Sequence, residues 1–144
     1  MFIGEYRHNL DQKGRLQVPM KWRSKLAADG AVITKGFDGS LKLYPTTVWQ
    51  GIAEKLAQLP QSQPGARAYV RQTLAGAVDV EIDKMGRILV PGYLREYAHL
   101  DKEAVLAGLH DHVEIWSEKV WLQYMNSIDQ SSPEFNQTLQ ELGI

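Results

Sequence analysis

The chain has 144 residues, 44% hydrophobic and 23% charged, enough for one compact domain or two very small ones and for a buried core, so disorder is not expected. It contains no cysteine, which excludes disulfides, a thiol nucleophile and a zinc–thiolate site and suits a reducing cytoplasm. The formal net charge of −1 argues weakly against a nucleic-acid partner, but it conceals a polarity: residues 1–26 hold six Lys or Arg against two acids, whereas residues 126–144 hold three acids and no base.

In chain order, no apolar run approaches the roughly 20 residues that span a bilayer. The opening MFIGEYRHNL lacks a basic start followed by an apolar core, so neither a membrane segment nor a signal peptide is expected. Tyr6, His8 and Leu10 alternate, as do Leu16 and Val18, which predicts two strands around a turn. Pro19 suits the first position of a short helix, PMKWRSKL, with Trp22 and Leu26 on one face. Strands are predicted over 31–36 and 41–44 around the Asp-Gly turn FDGS. A helix over 47–59 carries Val48, Trp49, Ile52, Leu56 and Leu59 at helical spacing; with its later copy bearing Trp121, it is expected to pack into the core and against other subunits. PQSQPG, residues 60–65, breaks the helix as a linker, and ARAYVRQTLAG is a short helix. The same order then recurs: strands 78–82 and 87–90, helix 92–98, strands 104–109 and 112–116, and helix 118–128 with Ser117 as N-cap. An amphipathic helix over 132–143 ends the chain.

The recurrence is a tandem duplication. LDQKGRLQVP (10–19) and IDKMGRILVP (82–91) share the pattern apolar-Asp-x-x-Gly-Arg-apolar-x-Val-Pro. A constant offset of 72 also superposes Arg23 on Arg95, Gly36 on Gly108 and Trp49 on Trp121, with no gap required. A unit this small rarely supports its own core, so the two copies are expected to share one.

Within the repeated phrase, Asp11 and Asp83 can accept backbone N–H groups in Asx-turns, and Gly14 and Gly86 can take positive φ; the turn accounts for all four. Arg15 and Arg87 are not required by a turn. One reading pairs each with the Asp four residues earlier, a modest local ion pair. The other has a rigid hairpin presenting a guanidinium fork to phosphate or to the O6/N7 edge of guanine, with Lys13 and Lys84 adding phosphate attraction. The residues alone leave both readings open. His110-Asp111-His112 reads as a polar turn rather than a metal site, since no acidic cluster completes one. TKGFDGS lacks the order of a phosphate loop. No Ser–His–Asp or paired-carboxylate arrangement fits the repeat, so no enzyme and no cofactor are expected.

The two phrases, their separation and the opening MFIGEY resemble the MraZ family of bacterial transcriptional regulators, a tandem form of the SpoVT/AbrB-like swapped-hairpin DNA-binding modules. The resemblance covers essentially the whole chain. It implies an α+β fold: two AbrB-like swapped-hairpin, double-psi-barrel-like β modules packed as one pseudo-symmetric domain with peripheral helices. Carried onto this chain, the modules span 5–47 and 76–119, with helices and linker over 48–75 and C-terminal helices over 120–144.

It further implies a cytoplasmic, nucleoid-associated homo-oligomer, a ring of several subunits, with no membrane or small-molecule substrate. Its expected partner is promoter DNA carrying short direct repeats upstream of its own gene and the division and cell-wall gene cluster, generally for repression. Arg15 and Arg87 fall on the family's DNA-contacting arginines, and Asp11 and Asp83 are expected to orient the loops. Arg7, Lys13, Arg23, Lys84 and Arg95 are secondary candidates. The copies differ, Gln12-Lys13 against Lys84-Met85, so the first is expected to contribute more to phosphate binding. The competing expectation is a protein-interaction module, antitoxin-like or a scaffold, whose arginines make interface ion pairs.

Overall fold

The computed structural model describes residues 1–144. Strands β1 (Phe2–Asn9), β2 (Arg15–Gln17), β3 (Ala31–Lys35) and β4 (Leu41–Pro45) form the first copy, with helix α1 (Met20–Asp29) between β2 and β3. Helices α2 (Thr46–Ala57) and α3 (Pro64–Val70) lead to the second copy: β5 (Val78–Val80), β6 (Arg87–Leu89), α4 (Gly92–Tyr97), β7 (Glu103–His110) and β8 (Val113–Ser117). Helices α5 (Glu118–Ser127) and α6 (Pro133–Glu141) complete a mixed α+β fold. Ser117 caps α5 as expected, accepting from the Val120 N–H at 3.4 Å. Pro19 precedes α1 at its N-cap rather than opening it. Helix α3 runs on into a π-helical turn, Arg71–Ala75, whose Thr73 carbonyl accepts from the buried Thr34 hydroxyl at 2.6 Å. No helix is long and apolar enough to cross a membrane.

Two antiparallel sheets carry the fold, one ordered β1-β7-β8-β4-β3-β5 and one β2-β6. The sequence predicts a hairpin within each copy, but β1 and β2 meet only at the bridge Leu10–Leu16. Beyond it the strands part: β1 pairs with β7 and β2 with β6, and β5 pairs back onto β3. Each copy thus lends its first strand to the other. The pairings centre on a pseudo-two-fold axis, where equivalent residues face each other as Leu16–Ile88 and Lys42–Glu114. Exchange follows from size, because one copy has too little apolar surface to close a core alone.

The core is a single cluster drawn from both copies. Leu16, Val18 and Leu26 lie with Ile88, Val90 and Leu94, all essentially inaccessible. Each such side chain contributes about 1.5–3 kcal/mol of burial. Trp22 joins them, edge-on to Phe2 and Tyr6.

Two expectations need correcting. First, the repeat is not gap-free. In β3–β4 Leu41 faces Lys35, whereas in β7–β8 Val113 faces Gly108. Gly108 therefore matches Lys35, not Gly36. An extra residue in the connection after α4 is offset by a hairpin loop one residue shorter between β7 and β8. Second, the helix stripes are not core. Only Leu56 of α2 is buried, Leu59 is exposed, and Trp49 and Trp121 are half-buried. Trp49 leans on Tyr44, and Trp121 stands edge-on to Trp116 and donates Nε1 to Glu5 at 3.0 Å. Both copies of this helix lie on the outside of the sheet.

Candidate nucleic-acid interface

The repeated phrase builds the same loop twice. Asp11 Oδ1 accepts from the backbone N–H of Lys13 (3.0 Å) and of Arg15 (2.9 Å), while Oδ2 accepts from Arg15 Nε (2.6 Å). Asp83 does the same with Met85 N (2.9 Å), Arg87 N (2.9 Å) and Arg87 Nε (3.0 Å). In both loops the backbone N–H of the arginine, assisted by its side chain, holds the aspartate below the ordinary carboxylate value. The two readings of the arginine are therefore compatible. The Asp binds Nε, and in Arg15 the two terminal Nη atoms have no protein partner.

Gly14 and Gly86 adopt φ of +84° and +80°, as the turn requires. They also leave room for the opposite copy. The Arg23 guanidinium lies where a Cβ on Gly86 would be, and that of Arg95 crowds the same position on Gly14. Arg23 Nε donates to the Val18 carbonyl (2.8 Å), and Arg95 Nε donates to that of Val90 (3.0 Å). The Val18 and Val90 N–H groups in turn donate to the Gly86 and Gly14 carbonyls, each at 2.9 Å. Each loop is thus held from behind by the other copy.

The two loops converge on the β2–β6 ribbon. Leu16 and Ile88 point into the core, so their neighbours Arg15, Gln17, Arg87 and Leu89 share the outer face. Arg15 Nε and Arg87 Nη1 approach the same oxygen, Asp11 Oδ2, at 2.6 and 3.8 Å. Two guanidinium groups are therefore gathered at the pseudo-axis, with Lys13 and Lys84 exposed on the loops at either side.

Of the predicted residues, Arg15, Arg87, Lys13, Lys84, Asp11, Asp83, Gly14 and Gly86 come together here. Arg23 and Arg95 join them from behind. Arg7 does not: it lies on β1, paired with Glu5 (2.8 Å) and Glu118 (3.4 Å). Sequence reasoning passed over Gln17 and Leu89, and took Met85 only as a difference between the two loops. Gln17 Nε2 donates to the Met85 carbonyl (2.9 Å), tying the first strand to the second loop. The period-2 alternation around each arginine already places Gln17 and Leu89 on its face. His112, from the polar turn, bonds Asp111 at 2.7 Å and stacks on Tyr44.

A family model described as "MraZ protein, putative antitoxin-like" matches the chain twice, over residues 1–72 and 73–142. The proteins named transcriptional regulator MraZ from Halothermothrix orenii and Desulfitobacterium hafniense are 45% and 47% identical to it over 144 residues, covering the whole of each chain. The one from Thermoanaerobacter pseudethanolicus is 46% identical over the same full length. With both halves matched by one family model and full-length relatives aligned end to end, the chain belongs to the MraZ family.

Proposed function

We propose that this chain is a transcriptional regulator that reads duplex DNA through the β2–β6 ribbon. The observation that carries this reading is the pair of outward arginines, each fixed through Nε by its own aspartate. An arginine held this way is preorganised, and in Arg15 the terminal fork remains free for the O6/N7 edge of guanine. A two-stranded ribbon is one of the two elements that the major groove admits. Arg15 and Arg87 are the base readers, with Lys13 and Lys84 on flanking phosphates. Arg23 and Arg95 position the loops, and Arg7 lies outside the contact.

The names of the full-length relatives support a role in transcription. The strand exchange supports two swapped-hairpin modules, over 5–47 and 76–119, with the remaining helices peripheral. The regulator acts in the cytoplasm, at the nucleoid, without cofactor or catalysis. It represses the division and cell-wall cluster and its own gene by binding short direct repeats. One ribbon with few cations binds weakly; several ribbons on a homo-oligomeric ring raise avidity by orders of magnitude through effective concentration. The acids of residues 126–144 lie in a segment separate in sequence from the basic residues 1–26, so binding is compatible with a net charge of −1.

The test is binding of the purified protein to DNA from upstream of its own gene, beside scrambled DNA of equal length, over a salt series. Wild type should prefer the upstream DNA and weaken steeply with salt, and Arg15→Ala should lose the preference while remaining folded. The words "antitoxin-like" in the family description favour one other reading, a protein-interaction module. Absence of any preference, or an Arg15→Ala variant that binds as well, would turn the search to protein partners.

A further inference from the structure

The pseudo-two-fold makes the two copies alike in backbone but not in what they show outward. Counting from each arginine, the first copy places Lys13 two residues before and Gln17 two after; the second places Met85 and Leu89. Met85 is 66% exposed and Leu89 is 54% exposed, so neither is part of the core. Leu89 faces Arg15 directly across the ribbon, on the outer face. It stays more than half exposed, although the molecule has a shared core that holds every other apolar residue of this ribbon, Leu16 and Ile88.

Resting on the DNA-reading function above, we propose that Leu89 is a specificity-determining residue that packs on the C5-methyl group of a thymine next to the base read by Arg15. In the major groove that methyl is the one apolar feature of a base edge, and an apolar side chain is its complement. The cationic surroundings argue for this occupant over a protein one. Arg15 faces Leu89, Arg87 shares its outer face and Lys13 and Lys84 are exposed on the loops, four cations against Asp11 and Asp83, and duplex DNA is the partner that offers a methyl group amid negative charge. Gln17, at the equivalent position, does not offer the same contact, because its side chain ends in a polar amide that donates Nε2 to the Met85 carbonyl. The face therefore has a direction: guanidinium beside leucine at one end, guanidinium beside glutamine at the other. A protein whose fold is two-fold symmetric thereby recognises a base sequence that is not.

Replacing thymine by deoxyuracil in the upstream DNA removes the methyl and leaves every hydrogen-bonding group. Wild type should bind the substituted DNA roughly fourfold more weakly for each methyl contacted. Leu89→Ala, which removes an exposed side chain and should melt like wild type, should bind both DNAs equally and retain its preference over scrambled DNA through the arginines. If wild type prefers the upstream DNA yet ignores the substitution, the leucine contact is wrong and the DNA-reading function stands. The leucine contact is equally wrong if Leu89→Ala keeps the full deoxyuracil penalty, since the methyl is then met elsewhere. If wild type has no preference for the upstream DNA, both readings fall together.

Discussion

The loops at Asp11 and Asp83 differ little in how they are built and much in what they present. Both use one carboxylate to hold two backbone N–H groups and an arginine Nε, with a positive-φ glycine closing the turn. The first nevertheless carries Lys13 and Gln17, and the second Met85 and Leu89. Arg87 reaches across towards Asp11, but Arg15 makes no matching approach to Asp83. The comparison separates the scaffold, which needs Asp, Gly and Arg at fixed spacing, from the outward positions, which the scaffold leaves free to diverge.

The largest effect should come from the arginines. Arg15, 35% exposed and bound only to its own aspartate, should be mainly a reader. Its replacement by Ala should cost about 1–3 kcal/mol per base-contacting site, multiplied across an oligomer. Arg87, 22% exposed and shared between two carboxylates, should lose less DNA affinity and more thermal stability. Parallel binding and melting curves for Arg15→Ala and Arg87→Ala test this, and equal losses in both assays would break the distinction.

Next in size are the glycines. A side chain in the left-handed region costs about 1–2 kcal/mol. At Gly86 it must also displace the Arg23 guanidinium from the Val18 carbonyl, a further 0.5–1.5 kcal/mol or so. Gly86→Ala should therefore destabilise more than Gly14→Ala, where the approach of Arg95 is less close. In denaturant titrations the added cost of displacing Arg23 should vanish for Gly86→Ala in an Arg23→Ala background, while the cost of Gly14→Ala should be unchanged there.

These contacts mark where sequence reasoning reaches its limit. The Asp-x-x-Gly-Arg loop was legible because the bonds its aspartate accepts span four residues or fewer. The strand exchange was expected only through the family resemblance, since β1 pairs with a strand about a hundred residues later and local alternation is the same whichever partner a strand takes. Arg23 and Arg95 were expected beside the DNA contacts because they are basic and near the motif. Their neighbours Gly86 and Gly14 lie in the other copy, and no local pattern reveals that. Trp49 and Trp121 were expected in the core and against other subunits from helical spacing, which specifies a face but not how deeply the chain's own core covers it. Identities on both sides of residues 36 and 108 suggested a gap-free repeat, while strand register shows two compensating shifts, between which the match of Gly36 with Gly108 is a coincidence.

The aspartates give a pH-dependent version of the comparison. Both are depressed below the ordinary aspartate value by the arginine N–H groups, so their stabilisation is fully present above that value. It should be lost only as pH falls through the lower folded-state values. Melting temperature followed into that acidic range should drop for wild type. Asp11→Asn and Asp83→Asn should each start lower at neutral pH and show a shallower drop, because one titrating group is gone. A variant with the wild-type slope would show that its loop does not depend on the carboxylate.

The smallest effect should come from the loop tips, and it bears directly on why the copies diverged. Lys13 and Met85 are equivalent in the repeat and both exposed, so exchanging one type for the other should leave the fold intact. If Lys13 sits on a phosphate, Lys13→Met removes about one counterion-releasing contact per bound ribbon. The slope of log affinity against log salt should then become shallower by about 0.9 for each, with the ratio of upstream to scrambled binding unchanged. Met85→Lys should steepen the slope by a similar amount if the second loop lies equally near the backbone. An unchanged slope in Met85→Lys alongside a reduced one in Lys13→Met would mean that only the first loop reaches the phosphates. The ribbon would then lie tilted on the DNA, with the leucine end closer to the bases. A changed specificity ratio in Lys13→Met would instead place Lys13 among the base readers, and the division of labour between the two copies would have to be redrawn.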